Sequence, residues 1–343
     1  MRIQVNARNR GYDFDALPGE HVLYAGLRAG IDLPYECATG TCGTCKAKLV
    51  SGRVREEWRD APGKKYVKPA AGEFLMCQCV AEEPLTLEVS KFVYPMDTGA
   101  SLPQKTAGTV REVRALTRDV MAFALELDEP YDFDAGQFTL LAPQGVAGYR
   151  AYSMCNHERA TRRLDFLVKR KPDGGFSQWL FGADRDGARL ETFAPLGKAT
   201  FEPALGKHLL LIAGGSGIAG MRSILARAER AAYFERHRGW VFFGVRKMRD
   251  AFWLAELSAH TGNVEVTVAL SEEDVPPEAK SEWPRLRFER GLVHEVVKRA
   301  MAGNYQDLRA YVAGPPPAVD AAIRVLLLEA KLSTDNIRYD KYS

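Results

Sequence analysis

The sequence predicts a three-domain chain of mixed class: a small β-rich α+β domain, an antiparallel β-barrel, and a doubly wound parallel-sheet α/β domain. Three observations predict it. The 343 residues exceed one ordinary domain. Between residues 107 and 205, short strands succeed one another with turn signals between them, as in a barrel or sandwich. After residue 206, continuous apolar strands alternate with amphipathic helices, as in a parallel sheet covered on both faces.

Composition bounds the function. With 46% apolar and 27% charged residues, the chain reads as a soluble globular protein. The net charge is +3, and no basic run is interleaved with aromatics, so a nucleic-acid partner is not expected. No apolar run approaches ~18–20 residues, so no membrane span is expected. The opening Met-Arg-Ile-Gln-Val-Asn is already a strand pattern rather than a signal peptide.

Residues 1–97 form the first predicted domain. Arg2–Ala7 alternates as a strand. Tyr12–Phe14 and His21–Leu23 suit a hairpin around Pro18-Gly19. Tyr24–Ala29 reads as a short helix closed by Gly30. Residues 35–45, Tyr-Glu-Cys-Ala-Thr-Gly-Thr-Cys-Gly-Thr-Cys, then place Cys37, Cys42 and Cys45 in C-x4-C-x2-C spacing. Either Cys77 or Cys79 can complete four thiolates, the ligand set of a [2Fe–2S] cluster with a distant fourth ligand. Gly40 and Gly43 suit the tight turns of a loop wrapped around a cluster. Structural zinc and free buried thiols are the alternatives. Zinc favours paired C-x2-C knuckles, and only one such pair is present. Thiolate ligands suit a reducing compartment, so the cytoplasm is expected. Ala47–Val50, Phe74–Val80 and Leu85–Val89 read as further strands. Residues 1–95 carry 13 Lys and Arg against 12 Asp and Glu, so no strongly acidic docking face is evident.

Residues 98–106 read as a linker, being rich in Gly, Ser and Pro and without periodicity. The second domain, 107–205, contains strands at Gly108–Ala115, Val120–Leu127, Gln137–Ala142, Arg150–Asn156 and Arg163–Lys169. A helix at Ser177–Phe181 precedes a strand at Leu190–Phe193.

In the third domain, 206–343, the strand His208–Ala213 runs into Gly214-Gly215-Ser216-Gly217 and a helix at Ile218–Ala232. Strands follow at Trp240–Gly244, Val264–Ala269, Ala310–Ala313 and Ile337–Tyr342, with helices at His294–Met301 and Ala318–Ala330. Gly215-x-Gly217-x-x-Gly220 matches the dinucleotide fingerprint, in which backbone N–H groups at a helix start receive pyrophosphate. The acid expected about twenty residues on is missing. The second strand ends Phe243-Gly244-Val245-Arg246. Without that acid, the glycines can also be an ordinary strand-to-helix turn. The six histidines are scattered, and no hydrolytic constellation competes.

Several motifs together resemble known families. The order of the first domain resembles the β-grasp ferredoxins, and Leu75-Met76-Cys77-Gln78 is similar to their closing ligand pattern, which favours Cys77 over Cys79. Arg150-Ala151-Tyr152-Ser153 resembles the flavin signature Arg-x-Tyr-Ser of the ferredoxin–NADP reductase superfamily. The resemblance implies that Tyr152 packs on the isoalloxazine, Ser153 hydrogen-bonds near N5 and Arg150 neutralises the pyrophosphate with its forked donors. It implies that Val168 and Lys169 border the flavin. Gly174-Gly175-Phe176-Ser177 resembles a phosphate-binding Gly-x-x-Ser, the Ser177 hydroxyl and the helix-start N–H groups being the donors. Gly214, Gly215, Ser216, Gly217 and Ile218, with Gly244, Arg246 and Gly314-Pro315-Pro316, resemble the superfamily's nicotinamide site. Two departures stand out: Gly220 replaces a usual Pro, and Ala313 replaces a Cys that sits near the nicotinamide. Tyr342 resembles a terminal aromatic that covers the flavin face reached by nicotinamide.

The order ferredoxin, flavin domain, nicotinamide domain resembles the NADH-dependent reductases of bacterial multicomponent oxygenases. That resemblance implies [2Fe–2S], FAD and NADH as cofactors, and electrons passing from NADH to FAD to cluster to an oxygenase. The run Glu56–Gly63 and Gly291-Leu292-Val293-His294-Glu295 are similar to reductases of soluble diiron monooxygenases acting on toluene or alkenes, whose partner is the hydroxylase component. A Rieske-type dioxygenase, reached directly or through an intermediary Rieske or ferredoxin protein, is the alternative. Arg246 and Lys247 stand where a 2′-phosphate could bind, while the resemblance favours NADH. Readings of other classes are a redox sensor and an interaction protein with structural zinc.

Overall fold

The computed structural model describes residues 1–260 and 262–342. In the first part, β1 (Arg2–Ala7) pairs antiparallel with β2 (Gly11–Asp15). The predicted hairpin partner, His21–Leu23, instead opens helix α1 (Val22–Arg28). The reason lies in its side chains. Val22, Leu23, Tyr24 and Ala25 are all buried, and a strand could turn only alternate ones inward. After α1 come β3 (Lys46–Ser51), β4 (Val54–Glu56), β5 (Glu73–Leu75), β6 (Cys79–Ala81) and β7 (Leu85–Val89). Five strands form one sheet in the order β2-β1-β7-β3-β5, and β4 pairs with β6 alone. The single strand expected over Phe74–Val80 is broken by a 3-10 turn at Met76–Gln78, which carries Cys77.

The second part comprises β8 (Gln104–Thr117), β9 (Val120–Tyr131), β10 (Phe138–Pro143), β11 (Arg150–Ser153), β12 (Thr161–Lys169), helix α2 (Gly175–Phe181) and β13 (Arg189–Leu196). β8 begins at Gln104, inside the segment expected to be linker. The sheet order is β11-β10-β13-β8-β9-β12. A bridge between Met154 and Phe166 joins the edges after β11 and within β12, so the sheet curls into a barrel. Phe123, Leu125, Leu141, Phe166 and Val168 fill it.

Within this part His157 is 2% exposed, and its Nε2–H donates to the Phe133 carbonyl oxygen at 3.1 Å. Burial holds the imidazole below its ordinary value of 6.5. As pH falls below ~6.5 the unfolded chain binds a proton at this site before the folded chain does, so stability falls with pH there. His157→Asn is expected to flatten that slope, read as urea midpoints between about pH 7 and pH 5. His21, also depressed by burial, retains its own share of the slope.

The third part comprises β14 (His208–Gly214), α3 (Ile218–Arg230), β15 (Gly239–Val245), α4 (Leu254–Ser258), β16 (Val264–Leu270), α5 (Ala279–Glu282), β17 (Leu286–Arg290), α6 (Val293–Ala300), β18 (Leu308–Gly314), α7 (Pro316–Leu328) and β19 (Ile337–Lys341). All its neighbouring strands are parallel, in the order β17-β16-β15-β14-β18-β19. One apolar cluster on α3 and α4 covers one face, and another on α6 and α7 covers the other. Sequence reading passed over β17. It lies at the sheet edge and its Arg287, Glu289 and Arg290 dilute the apolar signal. The chain order reverses between β14 and β18, and such a switch point opens a crevice at the carboxyl ends of the strands.

The first part and the barrel share a hydrophobic core. Phe138, Leu140, Phe193 and Leu196 of the barrel pack into the cluster containing Val22, Leu23 and Tyr24. The Tyr24 ring stacks on Phe193 at 4.7 Å and meets Tyr149 edge-on at 5.7 Å. Each such aromatic pair contributes about 0.5–1.5 kcal/mol beyond burial. The Gly197 N–H donates to the Tyr35 hydroxyl at 3.0 Å, and Lys198 pairs with Asp32 at 2.7 Å.

Candidate functional site

The cysteine loop lies between α1 and β3. It turns through positive φ at Ala38, Gly40 and Gly43. The turns aim backbone donors at sulfur: the N–H groups of Thr39, Thr41 and Cys42 each reach the Cys37 Sγ at 3.4 Å. The Thr44 N–H reaches the Cys42 Sγ at 3.5 Å. With the Cys42 thiol and these donors beside it, the Cys37 thiol is held down to about 4. Cys45 and Cys77 are buried with their sulfurs 3.1 Å apart. Cys77, and not Cys79, therefore meets Cys45. Cys79 sits on β6 opposite Glu56.

The loop fits a cluster with two irons. The thiols come as two pairs, Cys37 with Cys42 and Cys45 with Cys77. Four thiolates shared between two irons are the [2Fe–2S] donor set. Space is equally tight. A Cβ on Gly63 would stand 2.8 Å from the Gly40 carbonyl oxygen and 2.9 Å from the Gly43 nitrogen. Only glycine lets the 62–66 turn close on the loop, where the Gly63 N–H donates to the Gly40 carbonyl at 2.8 Å.

A cavity of about 550 Å³ opens on the barrel beside this loop. Arg150, Tyr152, Ser153, Lys169, Phe176 and Ser177 line it. The Tyr152 ring lies 4.7 Å from Phe176. Ser153 Oγ is 3.0 Å from the Tyr342 hydroxyl, so β11 and the C-terminal strand meet over the cavity. Arg150 donates to the Tyr149 carbonyl at 2.9 Å and has no carboxylate partner among the described residues.

Two expected residues behave otherwise. Val168 is fully buried inside the barrel, and Leu167 and Lys169 line the cavity on either side of it. The period-2 pleat of β12 turns alternate residues inward. The Ser177 hydroxyl, 3% exposed, accepts from the Lys171 N–H at 3.1 Å and donates to the Gly174 and Lys171 carbonyls. It braces the 171–177 loop. Gly174 and Gly175 belong to that loop and start α2. Lys169, Arg170 and Lys171 bring positive charge to the same wall. That basic run was visible in the sequence and could have been read.

The third cavity, about 350 Å³, lies at the switch point. Gly214, Gly215, Ser216, Gly244, Arg246 and Pro315 line it. Gly217 stands just behind. A Cβ there would lie 2.2 Å from the Ala313 carbonyl oxygen, so α3 can start against β18 only without a side chain. Gly314 packs on Gly214 in turn. Ile218 points into the core, and Pro316 faces a separate cleft of about 790 Å³ beside Cys37 and Cys42. Asp250, not singled out from the sequence, lines the third cavity five residues after β15 and accepts the Lys247 N–H at 3.2 Å.

The three sites adjoin. Cys37, Thr39 and Thr41 line the barrel cavity. Lys169, Ser216 and Pro315 line both the barrel cavity and the switch-point cavity. Asp340 lines the barrel cavity and the cluster-side cleft, and burial pushes its carboxyl up to about 6. Among the described residues no helix is long and apolar enough to cross a membrane.

Comparison with known proteins gives three family matches in the same order. Residues 5–82 match the 2Fe-2S iron-sulfur cluster binding domain, 107–201 the oxidoreductase FAD-binding domain, and 211–324 the oxidoreductase NAD-binding domain. A ferredoxin–NAD(P)+ reductase of Metapseudomonas resinovorans is 36% identical over 94% of this chain and 95% of its own. The electron transfer component of a xylene/toluene monooxygenase from Pseudomonas putida is 33% identical, over 93% and 87%. Among solved structures, the ferredoxin reductase in carbazole 1,9a-dioxygenase superposes with a TM-score of 0.83, at 33% identity, covering 100% of this chain and 99% of that one.

Proposed function

Because the chain belongs to the ferredoxin–NAD(P)+ reductases of bacterial oxygenase systems, we propose that its three adjoining cavities are the stations of one electron path. It is an oxidoreductase that passes electrons from NADH through FAD and a [2Fe–2S] cluster to an oxygenase component. The observation that carries the path is the sharing of walls: Ser216 and Pro315 join the nicotinamide and flavin cavities, and Cys37 and Thr39 join the flavin cavity to the cluster loop. When bound, FAD supplies the conversion of a two-electron hydride into the single electrons that an iron–sulfur cluster accepts.

The chain's own residues bind and orient. We assign cluster ligation to Cys37, Cys42, Cys45 and Cys77, with the surrounding N–H groups stabilising charge on sulfur. Arg150 would hold the flavin pyrophosphate, and Tyr152 and Phe176 would pack its ring system. Ser153 and Tyr342, joined by their mutual hydrogen bond, would hold the flavin's reactive end. Gly214, Gly215, Ser216, Gly244, Arg246 and Pro315 would frame the nicotinamide dinucleotide at the switch point, with Gly217 and Gly314 packed behind them. Residues 1–97, 107–205 and 206–343 correspond to the three functional domains. Thiolate ligands suit a reducing compartment, which supports a cytoplasmic location.

For the partner, the run Glu56–Gly63 favours the hydroxylase of a soluble diiron monooxygenase, in keeping with the xylene/toluene and alkene monooxygenase relatives. A dioxygenase system is the second reading, supported by the match to the carbazole dioxygenase reductase. The purified chain is expected to show flavin and [2Fe–2S] absorption bands that both bleach with NADH. Stopped-flow reduction of a diiron hydroxylase against a Rieske-type ferredoxin then separates the partners. A chain that reduces neither overturns the assignment.

A further inference from the structure

Trp58 belongs to the first domain, yet it lines the flavin cavity together with Thr39 and Pro62. Its indole ring lies beneath the Arg150 guanidinium, 5.7 Å from ring centroid to cation. Arg150 comes from the barrel. Its guanidinium also donates to the carbonyls of Ala147 and Tyr149, and among the described residues it stands half-buried without a carboxylate. A cation so placed is fixed from below by an aromatic face and left open above to an anion.

The segment that carries Trp58 is itself pinned to the cluster region. Glu56 pairs with Cys79 across β4 and β6. The Glu57 N–H donates to the Gln78 carbonyl at 2.8 Å, and the Ala61 N–H donates to the Trp58 carbonyl at 3.3 Å. Gly63 then closes on Gly40. Trp58 is thus held from both sides by the polypeptide that carries the cysteines.

From this juxtaposition we infer that the first domain owns part of the flavin site: Trp58 is a positioning residue that orients Arg150 for the flavin pyrophosphate. The inference rests on assigning FAD to the barrel cavity. It makes flavin retention depend on a residue outside the flavin domain.

The test uses the full chain with its cluster in place. The dissociation constant for FAD is read from the flavin fluorescence recovered on release, and the [2Fe–2S] absorption is followed in the same sample. Phe and Leu are both apolar and smaller than Trp58, but only Phe keeps an aromatic face. Trp58→Phe is expected to hold FAD within about twofold of wild type, and Trp58→Leu about tenfold more weakly. Added to Arg150→Ala, Trp58→Leu is expected to cost nothing further, because the two residues act as one unit. Equal FAD affinity of the Phe and Leu variants would overturn the inference, and so would full additivity with Arg150→Ala. A wild-type chain that takes up no FAD would overturn the underlying site assignment instead.

Discussion

Cys42→Ala is expected to lower electron delivery to the oxygenase partner by roughly 10²-fold or more, a loss beyond that usual for disturbing only a ligand's surroundings. Flavin reduction by NADH should stay within about threefold of wild type, which corresponds to less than 1 kcal/mol of barrier. The separation follows from geometry. Cys42 is half-buried, and its sulfur is engaged by Cys37 and the Thr44 N–H. Its loss empties one of four thiolate positions without opening a void in the buried Cys45–Cys77 side. Nothing in the switch-point cavity touches it. Absorption spectra should show the cluster bands gone and the flavin bands intact, with anaerobic stopped-flow reporting flavin bleaching. Loss of flavin bleaching in a folded variant would mean that electrons do not travel in the proposed order.

Gly217→Val is expected to do the reverse. A side chain at this position meets the Ala313 carbonyl oxygen at 2.2 Å and the Gly314 nitrogen at 2.9 Å. Both are backbone atoms at the end of β18, so the clash cannot be relieved by a rotamer. Overpacking of this sort costs about 1–3 kcal/mol. The displaced segment runs from Gly314 into Pro315, which lines the switch-point cavity. Flavin reduction by NADH is expected to fall ~10- to 100-fold, since each 1.4 kcal/mol is a factor of ten. Dithionite, which bypasses the nicotinamide site, should still load both centres, and the partner should then be reduced at the wild-type rate. A wild-type rate with NADH would show that the tight crossing at Gly217 does not shape the dinucleotide site.

What was legible from sequence was what is local in sequence. C-x4-C-x2-C, Arg-x-Tyr-Ser and the Gly214–Gly217 turn each place their chemistry within a few residues, and the strands and helices around them follow from periodicity. What was not legible depends on which way a side chain turns or what meets it from afar. Val168 and its neighbours differ only in the phase of the pleat. The Ser177 hydroxyl could serve a ligand or its own loop, and the carbonyls of Lys171 and Gly174 take it. Asp250 follows its strand after a short turn rather than at the strand end. The approach of Trp58 to Arg150 joins residues 92 positions apart on separate domains, and no local pattern encodes it. The false hairpin at 21–23 has the same origin, because burial on all sides erases the alternation that distinguishes strand from helix.

The stacking of Tyr24 on Phe193, with Phe138, Leu140 and Leu196 in the same core, bears on how such proteins can be rebuilt. The ferredoxin part is no interchangeable cassette on a tether. Grafting another ferredoxin onto this barrel would strand an apolar footprint in water unless the residues facing β10 and β13 travelled with it. The same footprint removes any swinging arm from the catalytic cycle. Internal transfer from flavin to cluster should therefore be indifferent to solvent viscosity, and added glycerol should slow only the encounter with the partner.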